Sequence, residues 1–505
     1  MMTQVYRLLG ITLAALAASP ESGKAPFPPH EGKAIVFPAP PGIAKSPDYR
    51  LFVQGKEVFC YVSRACSGHQ FDEARQTYSF PSTPLSYAIF DISGAVLVRI
   101  EMRDGLVHEE NDPAISPLSR GIPSKFDNGA MEFVIDRPGD LTILPSRDGY
   151  NPLHLFINKP ETDIPHKNDP NVVSYGPGVH DLDDGIALKR GQTLYLAGGA
   201  VVRPRARKIG KVNAWQIYGK GPATRTWSTA AVTADRTDGV KIIGRGILSG
   251  SLNDPYSVMN RMIMANESTN LVVRDIVVAD GNNFMVDFQN CKHVRAEGVR
   301  VLGAFANCDG ILFDGTQDGI ARRCTLHVYD DCLEAKSMAG RPCHDILYED
   351  CLVWVGCGTA MGVTHETAGP VCNITWRNIT VTKYKSYSLA DDFANNRASI
   401  FVDAAFGGEV SKLRFENITI EEANPHFVYV SNPPRDPKSP SPVKNVVFRN
   451  INANNVVRPT IVLIDASGRG IVEGISFENV VVNGQSVTPD DNRFRIRDVK
   501  NIGVK

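Results

Sequence analysis

The chain is 505 residues long, enough for one large domain or two ordinary ones. Its 54 basic and 55 acidic side chains leave a formal charge of −1, without the basic excess by which nucleic-acid binders hold phosphate. With 43% hydrophobic and 22% charged residues it has a globular rather than a disordered composition, and 43 glycines and 33 prolines imply many turns between short strands.

At the N-terminus, Arg7, the apolar run Leu8 to Leu16 and the small residues Ala15-Leu16-Ala17 predict a secretory signal over 1–17, with a proline-rich mature tail over 18–32. No later apolar run is long enough to span a membrane. The expected location is secreted or periplasmic, with neither a membrane nor a nucleic acid as partner.

Residues 33–165 read as a domain of their own. Short alternating segments recur at 49–53, 85–91, 96–100, 131–135 and 153–157, separated by Gly, Pro, Asp and Asn, the pattern of a small antiparallel β-sandwich. Cys60 and Cys66 lie here, outside the region that holds the other eight cysteines, and a small loop disulfide between them is an open option. The polar run 166–174 reads as a linker.

From 175 to 505 one sentence form repeats: two short β-branched segments joined at a polar corner. Copies occupy 270–278, 293–301, 345–353, 373–381, 412–420, 445–453 and 474–482, with a degenerate copy at 319–327. Asp275, Asp350, Asn378, Asn417, Asn450 and Asn479 take the corner, at steps of 75, 28, 39, 33 and 29 residues, the first step spanning two further copies. Asn and Asp suit such corners because they tolerate left-handed backbone angles. One copy cannot bury its apolar face alone, but a stack can. The prediction is an all-β chain, a β-sandwich followed by a parallel β-helix. Cysteines at recurring places would serve as small buried hydrophobes.

Within the repeats, Asn307-Cys308-Asp309-Gly310 is followed 21 residues after Asp309 by Asp330-Asp331-Cys332. That step is about one coil, so Asp309 should lie beside the aspartate pair. An isolated corner aspartate would simply bond its backbone. Three together, followed by Leu333-Glu334-Ala335-Lys336-Ser337, suit glycosidic hydrolysis, in which one carboxyl protonates the leaving oxygen and another activates water. Like charges at close range help keep one of them protonated.

These motifs resemble the NTDG and DDCIAIKS signatures of the polygalacturonase family, glycoside hydrolase family 28, and Asn290-Cys291-Lys292-His293-Val294 looks like its usual preceding rung. The resemblance covers roughly 175–480. It implies a right-handed parallel β-helix of the pectin-lyase type and inverting hydrolysis, with Asp330 as general acid and Asp309 and Asp331 holding the water. It implies no cofactor and no metal. The family's GHG motif aligns with Gly356-Cys357-Gly358, so Cys357 stands where the histidine does. Its RIK motif, which reads a uronate carboxylate, has Arg397 as nearest counterpart. The sandwich ahead of the helix is similar to the dextranase and isopullulanase group, family 49, which acts on neutral glucans.

Further substrate-binding candidates are Asn307, Lys336 and, on a loop after Gly358, His365 and Glu366. Tyr384, Tyr387 and Asp391-Asp392-Phe393 form an insertion that could wall the groove. The expected partner is a polysaccharide or oligosaccharide, and the expected assembly a monomer or small homo-oligomer, with the sandwich pairing or capping the solenoid end. A β-helical polysaccharide lyase and a non-catalytic carbohydrate binder remain the alternatives.

Overall fold

The computed structural model describes residues 27–505 apart from 67–69, 73–76, 80–81, 108–111, 147–150, 214–223, 254–257, 306, 385–396, 435 and 437. The expected signal over 1–17, and Tyr387 with Asp391-Asp392-Phe393, lie outside the described residues.

Two sheets face each other in the N-terminal part. One contains Lys33–Val36, Ser82–Ser93, Leu153–Asn158, Leu141–Leu144 and Ala114–Ser116, with Cys60–Cys66 also paired to Ser82–Ser93. The other runs Ser124–Asp127, Ala130–Ile135, Val96–Met102, Tyr49–Val53 and Lys56–Val58. Alternation turns Leu51, Val98 and Phe133 of the second sheet toward Phe90 and Leu155 of the first, in one core. The sandwich is not wholly antiparallel. Leu153–Asn158 runs parallel to Ser82–Ser93, because the chain between them crosses to the second sheet and returns. The Cys60–Cys66 disulfide is not formed. Both cysteines sit on one extended strand, whose ends are about 20 Å apart, far beyond the ~7 Å that a disulfide spans, and Cys60 is a buried free thiol.

Among the described residues the solenoid is a single sheet of 32 strands, joined coil to coil by parallel pairing. Its first strand, Val172–Tyr175, pairs with Thr193–Leu196 and so begins inside the stretch expected as linker. Inward positions stack along the axis. Phe288, Phe313, Tyr348, Trp376, Phe415, Phe448 and Phe477 form a continuous column with ring centroids 4.6–5.6 Å apart. Cys291, Cys308, Cys324, Cys332, Cys343 and Cys351 fill core positions as buried free thiols.

The polar corners form a second column. Asp350, Asn378, Asn417, Asn450 and Asn479 hold φ between 52° and 55°. Each asparagine Nδ2 donates to the side-chain oxygen one coil back, at 3.0 Å in every case.

The sandwich lies along the flank of the solenoid rather than over its end. Asp140 takes both Nε and Nη2 of Arg300, at 2.8 and 2.9 Å, and the Thr325 hydroxyl at 2.7 Å. Tyr61, Tyr87 and Phe156 pack on Val201, Val277 and Leu302. This docking uses the outer side of strands such as Val277–Gly281 and Arg300–Gly303, and leaves free the face built from Ile311–Asp314, Leu333–Ser337 and Met361–Thr367.

Asn417 sits mid-ladder, giving one hydrogen bond and receiving another. Asn417→Ala should cost about 1–3 kcal/mol, the two bonds plus the penalty of a β-carbon at positive φ. Asn417→Gly should cost less, since it loses the bonds alone. Urea unfolding of the two variants checks this, and equal losses would assign the cost to the bonds and none to backbone angle.

Candidate active site

Period-2 alternation builds this site. Ile311, Phe313, Leu333, Ala335, Met361 and Val363 point into the core, so Glu334 and Lys336 point the other way. Ile311 pairs with Leu333, which sets the residues two places earlier, Asp309 and Asp331, side by side. The Gly310 N–H donates to the Asp331 carbonyl at 2.7 Å. Two glycines permit this closeness. A β-carbon at Gly310 would stand 2.4 Å from the Cys332 carbonyl oxygen, and one at Gly358 would stand 2.2 Å from the Asp330 carbonyl carbon. Any side chain there would push the aspartate turn aside.

The carboxylates are held differently. Asp330, the least buried of the three aspartates, accepts the Asn307 N–H on Oδ2 at 3.0 Å. Asp331 accepts the Thr359 N–H at 2.8 Å, and the same oxygen faces Arg397 Nη1 at 3.5 Å. Lys336 Nζ lies 3.5 Å from Asp309 Oδ2, 3.0 Å from Glu334 Oε2 and 3.3 Å from Glu366 Oε2, and sits 5.3 Å from the Phe284 ring centroid. The Thr364 hydroxyl donates to Glu334 Oε2 at 2.5 Å. His365 Nδ1 contacts Asp403 Oδ2 at 2.6 Å.

Burial and mutual repulsion raise Asp309, Asp330 and Glu334. Asp309 stands well above the ordinary carboxylate value through burial and then the Glu334 charge, which Lys336 partly offsets. Asp330 is raised by burial and the neighbouring Asp331, against the pull of Arg397. Burial pushes Glu334 from 4.5 to about 7. Burial would lower Lys336, but Glu334, Glu366 and Asp309 more than offset it and hold the ammonium charged. One oxygen from each of Asp309, Asp331 and Glu334 lies within 4.8 Å of the others, a set with the donors for a cation. The Lys336 ammonium already serves two of the three as counter-charge.

All eight candidates drawn from the sequence meet in this patch: Asp309, Asp330, Asp331, Asn307, Lys336, Arg397, His365 and Glu366. His365 and Glu366 lie on the strand Met361–Thr367, not on a loop. A register shift in its pairing with Leu333–Ser337, with His365 at φ 47°, breaks the alternation there. Glu334, Thr364 and Asp403 belong to the cluster without having been singled out as site residues. For Glu334 the signal was present, since position 334 shares its strand face with Lys336.

Residues 220–502 match the family profile described as Glycosyl hydrolases family 28. The chain belongs to that family. An exopolygalacturonase from Zea mays is 23% identical over 266 residues, 49% of this chain and 62% of that protein, so the match leaves more than a third of the relative uncovered. Among solved structures, Dex49A from Penicillium minioluteum superposes with a TM-score of 0.57 at 14% identity, covering 94% of this chain and 98% of the other. An exopolygalacturonase from Thermotoga maritima gives a TM-score of 0.50 at 13% identity, over 66% and 84%. These last likenesses speak to fold alone. The fold is shared with Dex49A along nearly the whole of both chains.

In this family 28 chain, Cys357 is buried, its N–H donating to the Tyr329 carbonyl at 2.6 Å and its own carbonyl accepting the Tyr384 hydroxyl at 3.0 Å. Burial raises its thiol. Among the described residues of the cluster the imidazole is that of His365, on the strand that follows Cys357 in the same coil.

A carboxyl raised from 4.5 to about 7 stabilises the fold fully below pH 4.5 and loses that contribution as pH climbs toward 7. Glu334→Gln keeps the neutral form throughout. Its melting temperature relative to wild type should therefore rise between pH 4.5 and 7 and level off above, in calorimetric scans across that window. A flat difference would mean that Glu334 titrates at its ordinary value.

Proposed function

We propose that this family 28 protein hydrolyses O-glycosidic bonds of a polysaccharide or oligosaccharide with inversion at the anomeric carbon. Asp330 gives its proton to the leaving oxygen, while Asp309 and Asp331 hold the attacking water. The observation carrying this reading is the contrast between two adjacent carboxylates on one turn. Asp330 is partly exposed and raised by burial and by its neighbour, which suits an acid that must hold a proton near neutral pH. Asp331 is engaged as an acceptor, by the Thr359 N–H and Arg397.

Protons balance across the step. Water loses one to the Asp309, Asp331 and Glu334 set as its oxygen bonds the anomeric carbon, and Asp330 loses one to the departing sugar. Asn307 Oδ1 is buried without a hydrogen-bond partner among the described residues, which suits a contact to water or a sugar hydroxyl. With Nδ1 of His365 committed to Asp403, its Nε2 is the ring nitrogen left for a sugar, beside Glu366. Export to the medium or periplasm completes the proposal, resting on the N-terminal segment 1–17.

Asp330→Asn removes the acid while keeping shape. It should lower kcat by about 10²–10⁴-fold, the usual contribution of a general acid, in reducing-end release from polygalacturonate, dextran, pullulan and a plant-wall extract. Proton NMR of the first product should show the anomer opposite to the bond cleaved. Undiminished turnover by the variant would remove Asp330 from the mechanism, and a retained anomer would remove the single-displacement scheme.

A further inference from the structure

Glu334 departs from the motif it sits in. The signature DDCIAIKS carries alanine where Asp330-Asp331-Cys332-Leu333-Glu334-Ala335-Lys336-Ser337 carries glutamate. A further carboxyl is thereby buried beside Asp309, one oxygen of each lying within 4.8 Å of the other.

The oxygens of these two groups are unequally used. Asp309 Oδ2 and Glu334 Oε2 both turn to Lys336 Nζ, at 3.5 and 3.0 Å, and the Thr364 hydroxyl also donates to Glu334 Oε2. Asp309 Oδ1 and Glu334 Oε1 are buried too, and no N–H or O–H of the described residues donates to either. Yet the two side chains are hydrogen-bonded to each other. Two ionised carboxylates hold only acceptors, so such a bond forms only where one of them keeps a proton.

The charge balance points the same way. Asp309, Asp330, Asp331, Glu334 and Glu366 stand around the turn, against the cations Lys336 and Arg397. Asp287 and Asp314 add negative charge near Lys336 from earlier coils. The buried Cys332 thiol and Tyr348 hydroxyl, both raised by burial, stay neutral and relieve nothing. Carboxyls in such excess, out of water, take up protons rather than remain charged. One proton on Asp330 serves the proposed acid catalysis, and a second is needed between Asp309 and Glu334.

We propose that Asp309 and Glu334 share one proton between Oδ1 and Oε1, and that Glu334 is thereby a positioning residue. It holds Asp309 as half of a singly charged pair and leaves Asp331 to take the proton of the attacking water. This rests on the hydrolase reading above and deepens it. In one turnover Asp330 gives its proton to the leaving oxygen, and water gives one to Asp331 as its oxygen bonds the anomeric carbon. The shared proton stays in place. Asp331 then releases its proton to solvent, and Asp330 regains one.

Infrared difference spectra of the resting protein, at about pH 6 where exposed carboxylates are ionised, count the protonated carboxyls. Glu334→Gln and Asp309→Asn should each lose one protonated-carboxyl band, because the new amide donates to the carboxylate that remains. The double variant should also lose one. Loss of none, or loss of two in the double variant, overturns the sharing. This measurement needs no substrate, so it is decided apart from Asp330→Asn, which tests the hydrolytic reading. The pH profile of kcat, on the polymer cleaved in the reducing-end assay, then tests the positioning role. Wild type should show an ionisation at about pH 7, where the pair loses its proton, and Glu334→Gln should lack it while keeping the others. A variant profile lowered equally at every pH, with its shape unchanged, would make Glu334 merely structural and overturn that role.

Discussion

Coil-to-coil register is the constraint on which everything else hangs. In a parallel β-helix each residue is held beside its counterpart one coil away, and a slip of one residue would turn every inward side chain outward. The aromatic column from Phe288 to Phe477 and the asparagine ladder from Asp350 to Asn479 resist such a slip from inside and outside the same wall. The rings need apolar surroundings at one position of the coil. The amides need a left-handed corner at another. Together they fix the phase of each coil, and the phase places Asp309 beside Asp331.

That placement sets up an electrostatic problem which the site answers locally. Asp309, Asp331 and Glu334 converge in a place where water is largely excluded. One buried ammonium, Lys336, is shared among three carboxylates, and the remaining excess is relieved by protons, as the upward shifts of Asp309, Asp330 and Glu334 show. A carboxyl raised in this way is what the proposed acid catalysis requires. Phe284 and Tyr384 support the arrangement from the side, the first over Lys336 and the second through its hydroxyl on the Cys357 carbonyl.

Much of this was legible in the sequence, because a solenoid converts spacing into proximity. The step from Asp309 to Asp331 is one coil, one residue more than the step to Asp330, and the corner asparagines mark the coils that follow. What could not be read depended on local departures from the repeat. The bulge at His365 put on a strand what the sequence pattern suggested was a loop. Cys60 and Cys66 look like a loop pair only if the chain between them turns, and it runs straight. The sandwich docks on the flank through Asp140 and Arg300, a long-range ion pair that no periodicity signals. Glu334 was visible as nearby charge, but its place between Asp309 and Lys336 needed the register of two coils at once.

The turn and the charges around it are fixed by different means. The aspartate turn is set by backbone, with Gly310 and Gly358 leaving room for nothing larger, so Asp309, Asp330 and Asp331 are held where they stand. Lys336, Glu334 and Glu366 are side chains on strand faces, and the ammonium ties both glutamates to Asp309. A change at any one of the three therefore reaches the turn through charge rather than through backbone, because removing a partner leaves the others buried and uncompensated.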